Sequence, residues 1–289
     1  MRIHIIANIH RPDALEAALR TAVWLMERGI AVGVDPETAR HVDLPKLNSE
    51  EFAQASLIIA FGGDGTLIQA AHLGAESIVP ILGVYFGRFG FVTQARDHDL
   101  EETLTEFLAG RSRFENRMML QAELVRGGNL VATFHALNEI VLQRAVTARM
   151  LTFEVEVDGH RVARYPADGI IVSTPTGSTA YNLSAGGPIV DPNVSAMILT
   201  AIAPHTLSAR SLILGPDSEI CLGLESQGDS VLSADGQTRL HTLAGDVVRV
   251  RRSPRITQLV SVEQNDFLVK LSDKLLWSQG LVLGEVDDD

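Results

Sequence analysis

The apolar run Leu57-Ile58-Ile59-Ala60-Phe61 passes directly into Gly62-Gly63-Asp64-Gly65-Thr66, and a helix-compatible stretch continues to Leu73. A buried strand, a glycine turn and a helix in that order constrain the chain to an α/β layer, with the turn at the strand's C-terminal end. Glycines let the backbone approach a polyphosphate, and the helix start offers unpaired N–H donors at the positive end of its dipole. Asp64 has no reason to face phosphates unless it holds a metal or takes a proton from an incoming nucleophile. The turn therefore reads as a phosphoryl-transfer site. The plainer alternative is a strand-to-helix turn that Asp64 caps.

The rest of the first third repeats the alternation. Residues 3–7, 30–34 and 78–84 are short apolar runs. Residues 13–28 place Leu15, Ala18, Leu19, Ala22, Val23 and Met26 on one helical face ending at Gly29, and 100–108 form a helix stopped by Gly110. This predicts a Rossmann-like, mostly parallel sheet covered by helices. After about Phe114 the pattern turns to strands at 118–124, 131–141, 153–157, 161–165, 170–173, 197–201, 211–214, 219–224 and 247–252, with Asp158-Gly159 a two-residue hairpin signal. Residues 267–277 are helical again and are expected to return to the first domain. The expected division is an α/β nucleotide-binding domain of residues 1–113 plus about 265–289, and a β-rich, sandwich-like domain of residues 114–264.

Composition narrows the partners. Of 289 residues 46% are hydrophobic, enough for a large core, and 36 Asp plus Glu against 24 Lys plus Arg give a net charge of −12. That balance disfavours nucleic acid and anionic membranes. Cys221 is the only cysteine, so no internal disulfide forms, and no stretch nears the roughly 18 apolar residues of a membrane span. A soluble cytoplasmic protein is expected.

A second dense motif runs from Asp168 through Ser173-Thr174-Pro175-Thr176-Gly177-Ser178-Thr179-Ala180-Tyr181, continues with Asn182, Leu183 and Ser184, and closes at Gly186-Gly187-Pro188. Its hydroxyls and N–H groups suit ribose and phosphate oxygens, and the alternative is a Ser/Thr capping cluster. Asn138-Glu139 lies in the apolar stretch 136–142, so on a strand at least one of the pair faces the interior or a site. Gly87-Arg88-Phe89-Gly90-Phe91 by itself reads as a turn more readily than a site, with Arg88 a potential phosphate contact. There is no Walker-type Gly-x-x-x-x-Gly-Lys, no Gly-x-Gly-x-x-Gly, no His-Glu-x-x-His and no Gly-x-Ser-x-Gly.

Taken in order, these motifs with Ala203-Pro204-His205-Thr206 and Asp235-Gly236-Gln237 resemble the NAD kinase family, part of a superfamily with diacylglycerol kinases, sphingosine kinases and 6-phosphofructokinases. The resemblance covers most of the chain. It implies transfer of the terminal phosphoryl group of ATP, or of polyphosphate, to the 2′-hydroxyl of the adenosine ribose of NAD. A divalent cation, expected to be magnesium, would accompany the donor. It further implies Asp64 as general base, with Gly65 beside it and Phe91 as a wall of the adenine pocket. Dinucleotide contacts are implied for Asn138, Glu139, Arg149, Asp168, Thr179, Ala180, Tyr181, Asn182, Leu183, Ser184, Ala203 and Gln237. In this family Asp168 can reach a neighbouring subunit, which implies a homodimer or homotetramer. Many relatives carry Arg or Lys at Gln69 and Asn at Tyr85, and Pro166 stands where members vary in a way that bears on NAD against NADH. The competing readings are a lipid kinase of the diacylglycerol or sphingosine type, which shares the glycine turn, and a nucleotide sensor without catalysis.

Overall fold

The computed structural model describes residues 1–87, 90–93, 95–145, 150–224, 228–262 and 267–275. The first half comprises β1 (Arg2–Ala7), α1 (Pro12–Met26), β2 (Ala31–Val34), α2 (Ser49–Phe52), β3 (Leu57–Gly62), α3 (Asp64–Gly74), β4 (Ile81–Tyr85), β5 (Ala95–Arg96) and α4 (Leu100–Leu108). Strands β2, β1, β3, β4 and β5 lie side by side and parallel. Ile3, Ile5, Ile59, Phe61 and Val84 face α1 and α4, while Ile6, Ile58, Ala60 and Ile81 face Leu67, Ala70 and Ala71 of α3. Burial on both faces is why β2, β3 and β4 are apolar at every position rather than at alternate ones, with β1 departing at Arg2 and the buried His4.

The second half comprises β6 (Arg113–Arg126), β7 (Asn129–Ala136), β8 (Glu139–Arg144), β9 (Leu151–Val157), β10 (His160–Ala167), β11 (Gly169–Ser173), α5 (Tyr181–Ser184), β12 (Met197–Ile202), β13 (Leu212–Leu214), β14 (Ile220–Leu224), β15 (Ser230–Ala234), β16 (Thr238–Thr242), β17 (Val247–Ser261) and α6 (Phe267–Leu275). Strands β13-β12-β11-β8-β15-β16 form a six-stranded antiparallel sheet. Leu142, Ile170, Val172, Leu199 and Leu232 from it share one core with Leu120, Phe153, Val155, Leu222 and Val250, which gives the sandwich. The opposing strands are not a separate sheet. Strand β17 pairs antiparallel with β14 and β6, then parallel with β4 at Leu259↔Ile81, which makes one 11-stranded sheet through both halves.

Three expectations are corrected. The run 131–141 is two strands: β7 ends at Ala136 in the large sheet, β8 begins at Glu139 in the other, and Leu137-Asn138 is the crossing. Apolar continuity hid the break, because both sides of the crossing are buried. The run 78–84 becomes a strand only at Ile81, since Ile78 takes a left-handed φ of +52°. Strands β15 and β16 were not expected. Their turn, Asp235-Gly236 with φ of +50° and +67°, has the same left-handed pair as the predicted hairpin turn Asp158-Gly159 at +51° and +76°. Helix α6 does return: Lys270 and Leu271 are buried and Lys270 bonds to Thr93. The expected helical residues 276 and 277 lie outside the described residues. Among the described residues no helix is long and apolar enough to cross a membrane.

Candidate active site

Strand β3 delivers the chain to Gly62, and α3 begins at Asp64. A Cβ at Gly62 would sit 2.3 Å from Thr66 Oγ1, so the turn closes only on glycine, whereas Cβ atoms at Gly63 and Gly65 would meet nothing within 4 Å. The half-buried Asp64 side chain does not cap its own helix. It accepts N–H bonds from Phe91 at 2.9 Å on Oδ2, and from Val92 and Thr93, each at 3.1 Å, on Oδ1. Gly90 lets the loop come this close, because a Cβ there would lie 2.0 Å from Asp64 Oδ1. The glycine loop that reads locally as a turn is thus part of the site. Arg88 lies outside the described residues.

Helix α6 supports the same loop. The buried Lys270 donates to the Thr93 carbonyl at 3.0 Å; burial pulls its ammonium down to about 8, although Asp64 opposes the shift. Lys274 Nζ stands 4.3 Å over the Phe91 ring. Sequence reasoning missed both lysines, since a lysine in an amphipathic helix carries no local mark of its partner.

The second group gathers on a buried carboxylate. Asp235 accepts the N–H groups of Leu137 (2.8 Å), Asn138 (2.8 Å) and Glu139 (3.0 Å), and His72 Nε2 of α3 lies 2.9 Å away. These amides belong to the sheet crossing, where no neighbouring strand serves them, so the hairpin turn does. Asn138 Oδ1 and Glu139 Oε2 are buried without a hydrogen-bond partner among the described residues. Burial, then the Asp235 charge, pushes the Glu139 carboxyl up to about 8 against the opposing effect of the Tyr181 N–H. Gln237 follows in that turn, its N–H bonded to the Ala234 carbonyl at 3.0 Å and its side chain exposed.

The hydroxyl-rich loop packs onto this crossing. Thr174 donates its hydroxyl to Leu137 O (2.6 Å) and its N–H to Asn138 O (2.8 Å), Ser173 Oγ donates to Asn138 O (3.2 Å), and Ser178 Oγ donates to Pro175 O (2.6 Å). A Cβ at Gly177 would fall 2.2 Å from Asn138 O. The hydroxyls of Ser173, Thr174 and Ser178 are therefore internal scaffold, which corrects the expectation that they serve ribose and phosphate. Their donors are spent on carbonyls that have no strand partner. Asn182 is buried as well, with Nδ2 donating to Ser178 O (3.2 Å) and Pro188 O (3.0 Å) and Oδ1 accepting from Thr200 (2.8 Å). Thr179, Ala180 and Leu183 are half-buried, and Tyr181 and Ser184 are exposed.

A third group lies at the ends of β10, β11 and β12. Asp168 forms a two-pronged pair with Arg144, Nε to Oδ1 at 3.0 Å and Nη2 to Oδ2 at 3.1 Å, and its N–H bonds to Ile202 O at 2.9 Å. Ala203 follows with a left-handed φ of +43°, a conformation that costs an alanine roughly 1–3 kcal/mol and that the surrounding loop must hold. Arg149 lies outside the described residues.

A family model for the ATP-NAD kinase N-terminal domain matches residues 3–112, and one for the ATP-NAD kinase C-terminal domain matches residues 137–262. The NAD kinase of Geotalea daltonii is 37% identical over 288 aligned residues, covering 96% of this chain and 99% of that protein. A crystal structure of yeast NADH kinase complexed with NADH superposes with a TM-score of 0.91 at 25% identity, over 99% of this chain and 90% of that one. An NAD kinase from Archaeoglobus fulgidus in complex with ATP superposes with a TM-score of 0.73 at 26% identity, over 92% and 95% of the two chains.

Proposed function

The chain belongs to the NAD kinase family, and from that premise we propose that its residues move the terminal phosphoryl group of ATP to the 2′-hydroxyl of the adenosine ribose of NAD. The observation that carries the reading is the clamped carboxylate of Asp64. A carboxylate has about four acceptor positions. Two N–H groups occupy Oδ1 and one occupies Oδ2, which leaves Oδ2 with a place for a substrate hydroxyl. The ribose O–H passes its proton to that oxygen, the ribose oxygen bonds to the γ-phosphorus, and the bond to ADP breaks. The loop amides keep the base in line, so its contribution is position rather than basicity.

Acceptor binding is assigned to the crossing. The buried, unpartnered oxygens of Asn138 and Glu139 support this, because polar atoms so placed need a partner that a ligand can supply. Among the described residues no three His, Cys, Asp or Glu side chains gather to hold a cation. These residues do not by themselves fit a resident metal, and the expected magnesium would arrive with the donor, carried on its phosphate oxygens. The association of Asp168 and Ala203 with β10–β12 rather than with α3 supports a homodimer or homotetramer in which Asp168 serves a neighbouring copy; light scattering on the purified protein tests it.

The deciding experiment is NADP formation from NAD, ATP and magnesium, read with an NADP-specific dehydrogenase, beside Asp64→Asn. The wild type forms NADP, and the folded variant loses on the order of a hundredfold or more in turnover. Near-normal turnover in the variant removes Asp64 as base. Replacing ATP by polyphosphate in the same assay sets the donor, and direct quantification of NADPH formed from NADH, beside a Pro166 variant, sets the acceptor range.

A further inference from the structure

Helix α3 has a second functional end. Asp64 opens it and His72 lies two turns on, about 12 Å along the axis. There His72 Nε2 meets Asp235 Oδ2 at 2.9 Å, with the histidine side chain 25% exposed and the aspartate side chain 0%. The same carboxylate accepts the amides of Leu137, Asn138 and Glu139. One buried group therefore joins the helix that carries the base to the segment that carries the acceptor contacts.

The surroundings leave His72 as the side-chain partner of Asp235. His135 of β7 has Nδ1 2.8 Å from Ser253 Oγ, and burial together with the charges of Arg255 and His72 pushes it down to about 4, so it stays neutral. Arg255 of β17 pairs with Glu76, just beyond α3, at 2.9 Å. Glu139, whose N–H Asp235 accepts at 3.0 Å, has its carboxyl pushed up by the Asp235 charge as well as by burial. A buried carboxyl group that loses a partner is unfavourable, and the backbone it holds then shifts.

We propose that the His72–Asp235 pair is a positioning contact that sets Asp64 against the bound dinucleotide, and that Asp235 is held in place best by a cationic partner at this position. The proposal rests on the kinase reading above. It differs from a plain packing role in requiring charge: arginine must replace His72, and neutral glutamine, with similar reach, must not.

The test is steady-state kinetics of His72→Arg, His72→Gln and His72→Leu, with folding checked by circular dichroism. His72→Leu is expected to lose on the order of tenfold in kcat/KM for NAD, with His72→Gln close to it and His72→Arg within about twofold of wild type. A folded leucine variant at wild-type kcat/KM, or an arginine variant as slow as glutamine, overturns the proposal. If the leucine variant does not fold, the arginine and glutamine pair decides. A wild type that makes no NADP sinks the kinase reading instead. Calorimetric NAD affinity, expected to drop about threefold in glutamine but not in arginine, then decides the contact.

Discussion

Glu139 enters β8 with its carboxyl group buried, and the burial and the nearby Asp235 charge push its pKa from 4.5 up to about 8. The folded state thus keeps a proton that the unfolded chain releases between those values. The group's stabilising contribution is complete below about 4.5 and is lost as pH climbs through about 8. Glu139→Gln should remove this dependence, so that its Tm advantage over the wild type grows steadily from pH 4.5 to 8. An advantage that is constant with pH would show that Glu139 is ionised throughout. Gly90 makes the opposite kind of prediction. A methyl group there would stand 2.0 Å from Asp64 Oδ1, so Gly90→Ala must move either the carboxylate or the loop. Turnover should fall on the order of a hundredfold, the scale of a misplacement near 1 Å, and wild-type kinetics would refute the packing described. Asp64 was legible in the sequence because strand, glycines, carboxylate and helix are contiguous. Gly90 was not, because its meaning lies in a residue on another element.

At the scale of elements, the crossing between β7 and β8 organises the site. Its amides are held by Asp235 and its carbonyls by Thr174 and Ser173. The Thr174-Pro175-Thr176-Gly177 turn fits against Asn138 only because Gly177 has no side chain. Gly177→Ala should destabilise by about 1–3 kcal/mol through overpacking and weaken NAD binding at the same time, measured by denaturant titration and calorimetry. A loss of stability with unchanged NAD affinity would separate the loop from acceptor binding. The capping alternative does not describe Ser173, Thr174 and Ser178 either: the turn at residues 176–179 and α5 carry no side-chain cap, and these hydroxyls donate to backbone carbonyls instead. The hydroxyl pattern marked the place and misattributed the work, since a buried carbonyl and a ribose oxygen are matched by the same donor.

For the whole molecule, the decisive element is β17. Its first part pairs with β14 and β6 under the sandwich, and Leu259 pairs with Ile81 in the parallel sheet. One continuous strand in both cores couples them, so unfolding followed by Trp fluorescence, with Trp24 in α1, should coincide with unfolding followed by far-UV circular dichroism. Two separated transitions would show that the halves unfold independently. The sequence marked only residues 247–252 as strand, because the strand bulges between Arg252 and Ile256, around Pro254. Lys270 belongs to this scale too, since it reaches Thr93 only after the chain has passed through the second half and returned.

By itself the sequence determined the α/β character of the first half, the β-rich second half, the Asp64 turn and the family. Each is written in a contiguous pattern: apolar runs in buried parallel strands, glycines where backbones close up, short motifs in a set order. The tertiary structure alone decided that Gly90 and residues 91–93 clamp Asp64, that Asp235 and His72 tie α3 to Asn138-Glu139, and that one sheet runs through both halves. Those are contacts between residues far apart in the chain. Their physical basis is the pairing of buried polar groups, which depends on what folding brings beside them.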